Sequence, residues 1–425
     1  MLLKEFILKA FFAGQISQGD NLDLLPYEAD TSGPTIQDPS APTGLEFHFA
    51  DGAKPLATPW QVAVERAKQI RKLGLPEGVI LDPACGSGIQ LAAYCAMLGR
   101  MGVGIELDEK TAKAACANLN KVSSHGFGSV LMESKIIFGD GTKPVPDIEV
   151  GLLHLDPARP RNSRTHSIDE MQPSIDVILS AWKDNLGSTE KGPAILLDLS
   201  PRLQDNQREE IEEIVNQIWP NIGKTWVWTS RGGGRIDRLS LWIGQVSIEG
   251  TERRFVRIPP DFKQKPFILD GQKSVISPVN MLPRKGNYVS ILDSALVESG
   301  LANEFLSKVI KDGEINWSIT EGRRPQIEHS QKINYSSDSE RLLVQASGKI
   351  VKLVHCELSI DNMNQIIDAA KECGFGKLTL RIPMQPEDQP KLQGSLDRQL
   401  AAFGGRHTGF VAKHPNDSML LLCVE

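Results

Sequence analysis

The sequence predicts an α/β protein, a mostly parallel sheet with helices on both faces, followed by a smaller α+β module. Three observations predict it. From Val79 to about Val246, strand-length apolar runs alternate with helix-length runs, as crossover-connected parallel strands require. One run, Val79-Ile80-Leu81-Asp82, ends in an acid and enters Pro83-Ala84-Cys85-Gly86-Ser87-Gly88, after which a helix-like run begins at once. Beyond about residue 250 the texture changes to strand-like pieces separated by Pro- and Gly-containing loops.

A chain of 425 residues is long enough for two or three domains. Its 40% hydrophobic and 24% charged residues are ordinary for globular protein. No apolar run reaches the ~20 residues needed to span a bilayer, so no membrane partner is expected. Near the start, Leu2, Leu3, Phe6, Ile7 and Phe11 have helical spacing, interrupted by Lys4, Glu5 and Lys9. That reads as an amphipathic helix and not a signal peptide. Cys85, Cys95, Cys116, Cys356, Cys373 and Cys423 form no C-x-x-C pair and have no His cluster beside them. Reduced thiols, no bound metal and a cytoplasmic location are the expectations. The net charge of −6 is concentrated in residues 1–60, which hold eight acids and three bases. A nearly neutral remainder is not the signature of a nucleic-acid binder. Arginines do cluster locally, at 159–164, 231–238, 253–257 and 323–324.

Taken in order, residues 17–56 read as a long loop or an arm wrapped on another element. Thr58-Pro59 fits a helix cap followed by proline at the first helical position. The helix runs to Lys72, with Trp60, Ala63, Val64, Ala67 and Ile70 on one face, and Gly74 and Pro76 stop it. Strands are expected at Val79–Asp82, Gly102–Leu107, Lys135–Phe138, Gly151–Leu155 and Ala194–Leu199. Helices are expected at Ile89–Leu98, Glu109–Val122, Asp169–Lys183 and Gln207–Ile218. Thr225–Thr229 and Leu239–Val246 flank Arg231-Gly232-Gly233-Gly234-Arg235 and predict an antiparallel hairpin closing the sheet. Further strand-like pieces are Arg253–Ile258, Tyr288–Leu292 and Arg341–Gln345. The final segment reads β-α-β-α-β: Ile350–Glu357, Asp361–Cys373, Lys377–Ile382, Asp388–Phe403 and Met419–Val424.

The glycine loop carries the first functional signal. A G-x-G-x-x-G dinucleotide pattern starting at Gly86 and Gly88 finds Leu91 in its third glycine position, so a pyrophosphate site fits poorly. The D-x-A-C-G-S-G spelling instead resembles motif I of class I S-adenosylmethionine (SAM)-dependent methyltransferases, which implies a seven-stranded Rossmann-like sheet. Read against the groups of SAM, Asp82 would help to hold the ammonium, and Gly86 and Gly88 would allow close approach. Glu106, ending the next strand, offers one carboxylate to both ribose hydroxyls. Asp140, after the third strand, offers an acceptor to the adenine amino group. The fourth strand ends His154-Leu155-Asp156-Pro157-Ala158-Arg159, where the target nucleophile should lie. Amino-methylating enzymes carry Asn or Asp, Pro-Pro and an aromatic there. Ala158 and Arg159 depart from that pattern and argue against a DNA adenine methyltransferase.

The Asp156-Pro157-Ala158-Arg159-Pro160 stretch is similar to a loop in class I methyltransferases that carry a C-terminal THUMP-like domain. Thr58-Pro59 with the Arg66 helix, Asp198-Leu199-Ser200-Pro201, Asp293-Ser294-Ala295-Leu296, Gly300-Leu301-Ala302 and Phe375–Arg381 match as well. The family's longer N-terminal helical region is reduced here to one helix and a loop, and Pro-Ala-Cys stands where Leu-Gly-Cys is commoner. The run of elements divides the chain into a helix and arm over 1–56, an α/β region over 57–246, an irregular connection over 247–319 and an α+β module over 320–425. The resemblance, which covers roughly 57–425, implies that the second is a SAM-dependent methyltransferase domain and the last THUMP-like. It implies SAM as cofactor and RNA as partner, with a nucleobase as methyl acceptor. Candidate cofactor contacts are Asp82, Ala84, Gly86, Gly88, Glu106, Leu107, Asp140, Gly141 and Asp156. Asp156 and Arg159 are the candidate catalytic residues. A SAM-binding interaction module without turnover, and an enzyme acting on a protein or small molecule, fit the same residues.

Overall fold

Alternation of apolar runs and amphipathic runs builds the first of two units. The computed structural model describes residues 23–24, 34–50, 58–158, 168–261, 263–415 and 418–425. The helix expected near Leu2–Phe11 lies outside them. Residues up to Val227, with Asp237–Glu252, form the first unit, and Trp228–Ile236 with Arg253–Glu425 form the second.

In chain order the first unit runs β1 Asp23–Leu24, β2 Thr35–Gln37, β3 Glu46–His48, α1 Trp60–Arg71, β4 Val79–Asp82 and α2 Ile89–Leu98. There follow β5 Gly102–Glu106, α3 Glu109–Ser124, β6 Lys135–Phe138, β7 Val150–Leu155 and α4 Ile175–Trp182. It ends with β8 Ser188–Thr189, β9 Gly192–Leu199, α5 Asp205–Ile218, β10 Lys224–Ser230 (leaving the unit after Val227) and β11 Arg238–Gly244. The strand order is β1-β6-β5-β4-β7-β9-β11-β10, with β8 on the side of β9. Strands β6, β5, β4, β7 and β9 are mutually parallel, and β11 is antiparallel to β9. The seven expected strands are all present. The sheet is nevertheless not seven-stranded: it has eleven strands, among them two short additions within this unit, β1 antiparallel to β6 and β8 antiparallel to β9. Strand β4 is buried throughout, as apolar runs covered by helices on both faces require.

Two local expectations change. The cap of α1 is not Thr58: Asp38 Oδ2 accepts from Trp60 N at 2.7 Å and Ser40 Oγ from Gln61 N at 3.2 Å. Residues from the arm therefore satisfy the orphan N–H groups. The single helix expected at Asp169–Lys183 is split into a 3₁₀ turn, Ile168–Glu170, and α4. Pro173 has no N–H and disfavours helical backbone at Gln172. The arm itself is anchored by side chains: Phe47 is buried against Trp60, with ring centroids 5.8 Å apart. Asn118 of α3 accepts from His48 N at 2.7 Å, and its Nδ2 donates to the carbonyls of His48 and Ser87. One amide thus ties the arm to the glycine loop.

The second unit continues with β12 Arg253–Arg257, β13 Phe267–Gly271, β14 Tyr288–Leu292, α6 Ser294–Glu298, α7 Ala302–Val309 and β15 Ile315–Ile319. It closes with β16 Gln326–His329, α8 Asp338–Arg341, β17 Val344–Val354, α9 Met363–Glu372, β18 Phe375–Leu380, α10 Gln389–Phe403, β19 His407–Lys413 and β20 Leu420–Val424. The pieces expected at Arg341–Gln345 and Ile350–Glu357 join in one strand, β17, which runs through Gly348. There a side chain would strike Val424 O, 2.6 Å from a Cβ. A seven-stranded sheet has the order β15-β16-β14-β17-β20-β19-β18, antiparallel except for the β18–β19 pair. Ile366 and Ile367 of α9 and Leu396 and Leu400 of α10 pack with Leu378, Val411 and Leu422 on one face. Phe410, Leu421 and Cys423 alternate to the other face with Val289 and Ile291.

Candidate functional site

The carboxyl ends of β4, β5, β6 and β7 bring most of the predicted residues together. Gly86, with φ +51°, has open space where a side chain would be. Its N–H donates to Glu106 Oε2 at 2.9 Å, while Glu106 Oε1 accepts from Asp108 N at 3.0 Å. Burial, only partly offset by these two donors, raises the Glu106 pKa. Leu107, next in sequence, is 73% exposed, an apolar side chain held out beside the loop. Such a half-buried carboxylate, an open glycine and an outward leucine fit a ligand that carries a diol and a flat apolar ring.

Other members of the predicted set serve the loop itself. Gly88 has φ +70°, and a Cβ there would sit 3.0 Å from Ala115 Cβ and 3.2 Å from Leu119 Cδ1. Helix packing, not ligand approach, requires that glycine. A Cβ on Gly141 would come 1.9 Å from Pro83 O, and Gly141 O accepts from Trp182 Nε1 at 2.8 Å. Asp140 Oδ1 accepts from the Thr142 N–H at 2.9 Å and its hydroxyl at 2.7 Å. Burial works against the Asp140 charge, but the Thr142 donors outweigh it and lower its pKa. Asp82 is only 2% exposed: Oδ1 accepts from Ala84 N at 3.3 Å, and Oδ2 faces His154 Nδ1 at 2.8 Å.

That contact opens a buried polar chain which sequence reasoning did not assemble. His154 Nε2 lies 3.3 Å from Asp198 Oδ2, so the imidazole is flanked by two carboxylates. Burial disfavours its cation, yet Asp82 and Asp198 outweigh burial and push the His154 pKa up to about 9. Arg66 Nη1 donates to both Asp198 oxygens, at 2.8 and 2.7 Å, and to Tyr94 Oη at 2.8 Å. Ser240 Oγ donates to Asp198 Oδ1 at 2.6 Å. Burial opposes the charge of Asp198, but Arg66 and then His154 hold it well below the usual carboxylate range. Two buried anions and two buried cations balance, as buried charge must.

The chain reaches the predicted substrate position. Tyr94 Oη donates to Gln90 Oε1 at 3.4 Å, and Gln90 Nε2 donates to Asp156 Oδ2 at 3.2 Å. Arg238 Nη2 stands 3.4 Å from the same oxygen, and the Asp156 side chain is 28% exposed. Asp156 is thus oriented by an amide and a guanidinium and still meets solvent. Its other predicted partner, Arg159, lies outside the described residues. The sequence signal for the missed members was polarity inside apolar strands, His154 in Gly151–Leu155 and Asp198 in Ala194–Leu199.

No family model matches the chain, and no curated protein matches it. Solved structures do resemble it. A candidate methyltransferase of Porphyromonas gingivalis W83 is 16% identical, with a TM-score of 0.51 over 85% of this chain and 80% of that one. The likeness is one of fold. A precorrin-6y C5,15-methyltransferase of Geobacter metallireducens GS-15 is 12% identical over 47% of this chain and 93% of its own, with a TM-score of 0.34. A candidate rRNA methylase of Clostridium thermocellum is 13% identical over 42% of this chain and 94% of its own, with a TM-score of 0.30. Likenesses this weak carry no argument. Among the described residues no helix is long and apolar enough to cross a membrane.

Proposed function

We propose that the protein is a SAM-dependent methyltransferase acting on a nucleobase of RNA. The observation that carries the SAM reading is the Gly86–Glu106 hydrogen bond, which sets an open glycine turn against a carboxylate at the ends of adjacent parallel strands. Glu106 meets the ribose hydroxyls, Leu107 packs on the adenine, and Asp140 Oδ2 accepts from its amino group. Ala84, Gly86 and the loop backbone receive the amino acid portion. Asp82, buried behind the loop, holds its shape through Ala84 and Gly88 through helix packing; Gly141 seals the loop from below.

Bound SAM supplies an already activated methyl group, so positioning provides most of the rate. Asp156, held by Gln90 and Arg238, accepts a hydrogen bond from the nucleophile, and Arg159, three residues on in sequence, is proposed to act beside it. The closing antiparallel strand of the first unit and the α+β second unit agree with the THUMP-like family resemblance, which is what favours RNA. The Asp156–Arg238 ion pair favours a second reading, a SAM-binding module without turnover, because it gives Asp156 a structural employment.

The test is transfer of labelled methyl from SAM to fractionated tRNA, rRNA, DNA and protein from cells lacking this gene. Label entering one RNA fraction, and lost with Asp156→Asn, is the expected result. SAM binding without label in any fraction overturns the enzymatic reading, and label in protein overturns RNA.

A further inference from the structure

Arginines that the sequence holds in separate groups converge within the second unit. Gly232, Gly233 and Gly234 follow one another with φ of +92°, +70° and +69°. The Gly232 N–H is taken by Ser230 Oγ at 2.9 Å, which leaves those of Gly233 and Gly234 as the donors such a turn offers. Gly232 is closed off by Arg257, whose Nη2 would be 2.3 Å from a Cβ, and Gly234 by Arg323 O at 2.5 Å. Gly233 between them faces open space. The turn borders a cleft of about 640 Å³ whose lining includes Gly232, Gly233, Arg341, Gln345 and Arg381. Gln345 Nε2 donates to Arg323 O at 3.1 Å, tying that arginine to the cleft wall.

The charges here are not neutralised in the usual way. Arg324 Nη1 donates to the carbonyls of Leu380 and Ile382, at 3.3 and 2.7 Å, on either side of Arg381. Burial, then Arg381 and Arg323, lower the Arg324 pKa, which is the mark of guanidiniums crowded together. Arg381 Nε is buried without a hydrogen-bond partner. Among the described residues, Arg323, Arg324, Arg341 and Arg381 form no ion pair with a carboxylate, whereas Arg254 pairs with Asp270 and Arg257 with Asp293. Three carboxylates do line the cleft. Asp293 is engaged by Ser230, Ala295 N and Arg257, and Asp261 accepts from Lys263 N. Asp338 sits in the first turn of α8. The lining alone is balanced, Arg257, Arg341 and Arg381 against these three carboxylates; the surplus of positive charge comes from Arg323 and Arg324, crowded against Arg381.

We propose that this cleft binds a phosphate group, held by Arg341 and Arg381 against the glycine turn. Guanidinium forks match phosphate oxygens in pairs, and successive backbone N–H groups add donors that need no side chain. The assignment stands apart from methyl transfer and survives its failure. A phosphate reaches such a cleft either along a polynucleotide or as a free ion.

The experiment uses the full chain, with Arg341→Gln and the double variant R341Q/R381Q. Anisotropy of a short labelled single-stranded RNA is measured across a salt series, and melting is followed with orthophosphate at matched ionic strength. The exposed Arg341→Gln change leaves the fold intact, which separates lost binding from lost structure. If the phosphate belongs to a polynucleotide, each substitution weakens RNA binding roughly tenfold and makes the log–log salt slope shallower by about one. If it is a free ion, orthophosphate raises the melting temperature of the native chain and not of the double variant. Native and variant chains that respond alike to both probes overturn the proposal.

Discussion

His154 and Asp82 are joined by a 2.8 Å hydrogen bond inside the first unit, with the second imidazole nitrogen 3.3 Å from Asp198. The ion pair is buried, so its charge state is a stability term. The folded pKa of about 9 is raised above the ~6.5 of an unfolded histidine. Stabilisation from this group is therefore complete below about pH 6.5 and is lost as pH rises through 9, on the order of 3 kcal/mol in all. His154→Leu should abolish this part of the pH dependence and cost about 3–5 kcal/mol at neutral pH, because Asp82 loses its cation and Asp198 is left with Arg66. Urea midpoints across the alkaline range check it; a native midpoint that stays constant between those two pKa values contradicts it.

Much of this unit was legible in the sequence. Strands β4 and β6 and helix α2 have the expected limits, because apolar runs end there in acids and glycines. Legibility failed where partners are distant. His154 lies 72 residues from Asp82, and Asp198 lies 132 from Arg66. No local pattern announces a polar network whose members meet only when strands β4, β7 and β9 align. The same holds for β19, whose Gly409 packs against Cys423 O of β20 and so looks like loop when read alone. At Gly88 the sequence suggested ligand approach, and the structure shows helix α3 in that space.

Asp82 and Glu106 should respond differently to neutralisation. Glu106→Gln keeps the size but loses one acceptor and the charge, so SAM affinity should fall by about tenfold or more with little change in melting. Asp82→Asn removes the anion beside His154, so melting should fall first and affinity follow through the loop. Calorimetric titration with SAM, paired with thermal melts, distinguishes them. Unchanged affinity in Glu106→Gln would move the cofactor elsewhere.

The three glycines should rank by what their missing side chains would meet. Gly141→Ala drives a methyl into Pro83 O and should be the most damaging, by at least about 3 kcal/mol. Gly88→Ala adds left-handed strain to contacts with Ala115 and Leu119, for about 2–3 kcal/mol. Gly86→Ala carries only the left-handed penalty, about 1–2 kcal/mol. It should nevertheless lose the most SAM affinity per unit of stability, since its methyl enters the open space of the turn. Denaturant midpoints and SAM titrations on the three variants give both rankings.

Asp156 tests the division between cofactor and substrate. Asparagine retains an oxygen for Gln90 but gives up the charge that faces Arg238, so the loop keeps its anchor while the guanidinium is released. If Asp156 orients the nucleophile, its neutralisation acts on the transition state more than on bound SAM. Turnover should then fall about a hundredfold while SAM affinity moves by less than about threefold. Single-turnover methyl transfer and SAM titration measure the two quantities on one preparation. Equal losses in both would assign Asp156 to the cofactor, because a residue that touches SAM in the ground state weakens binding and rate together.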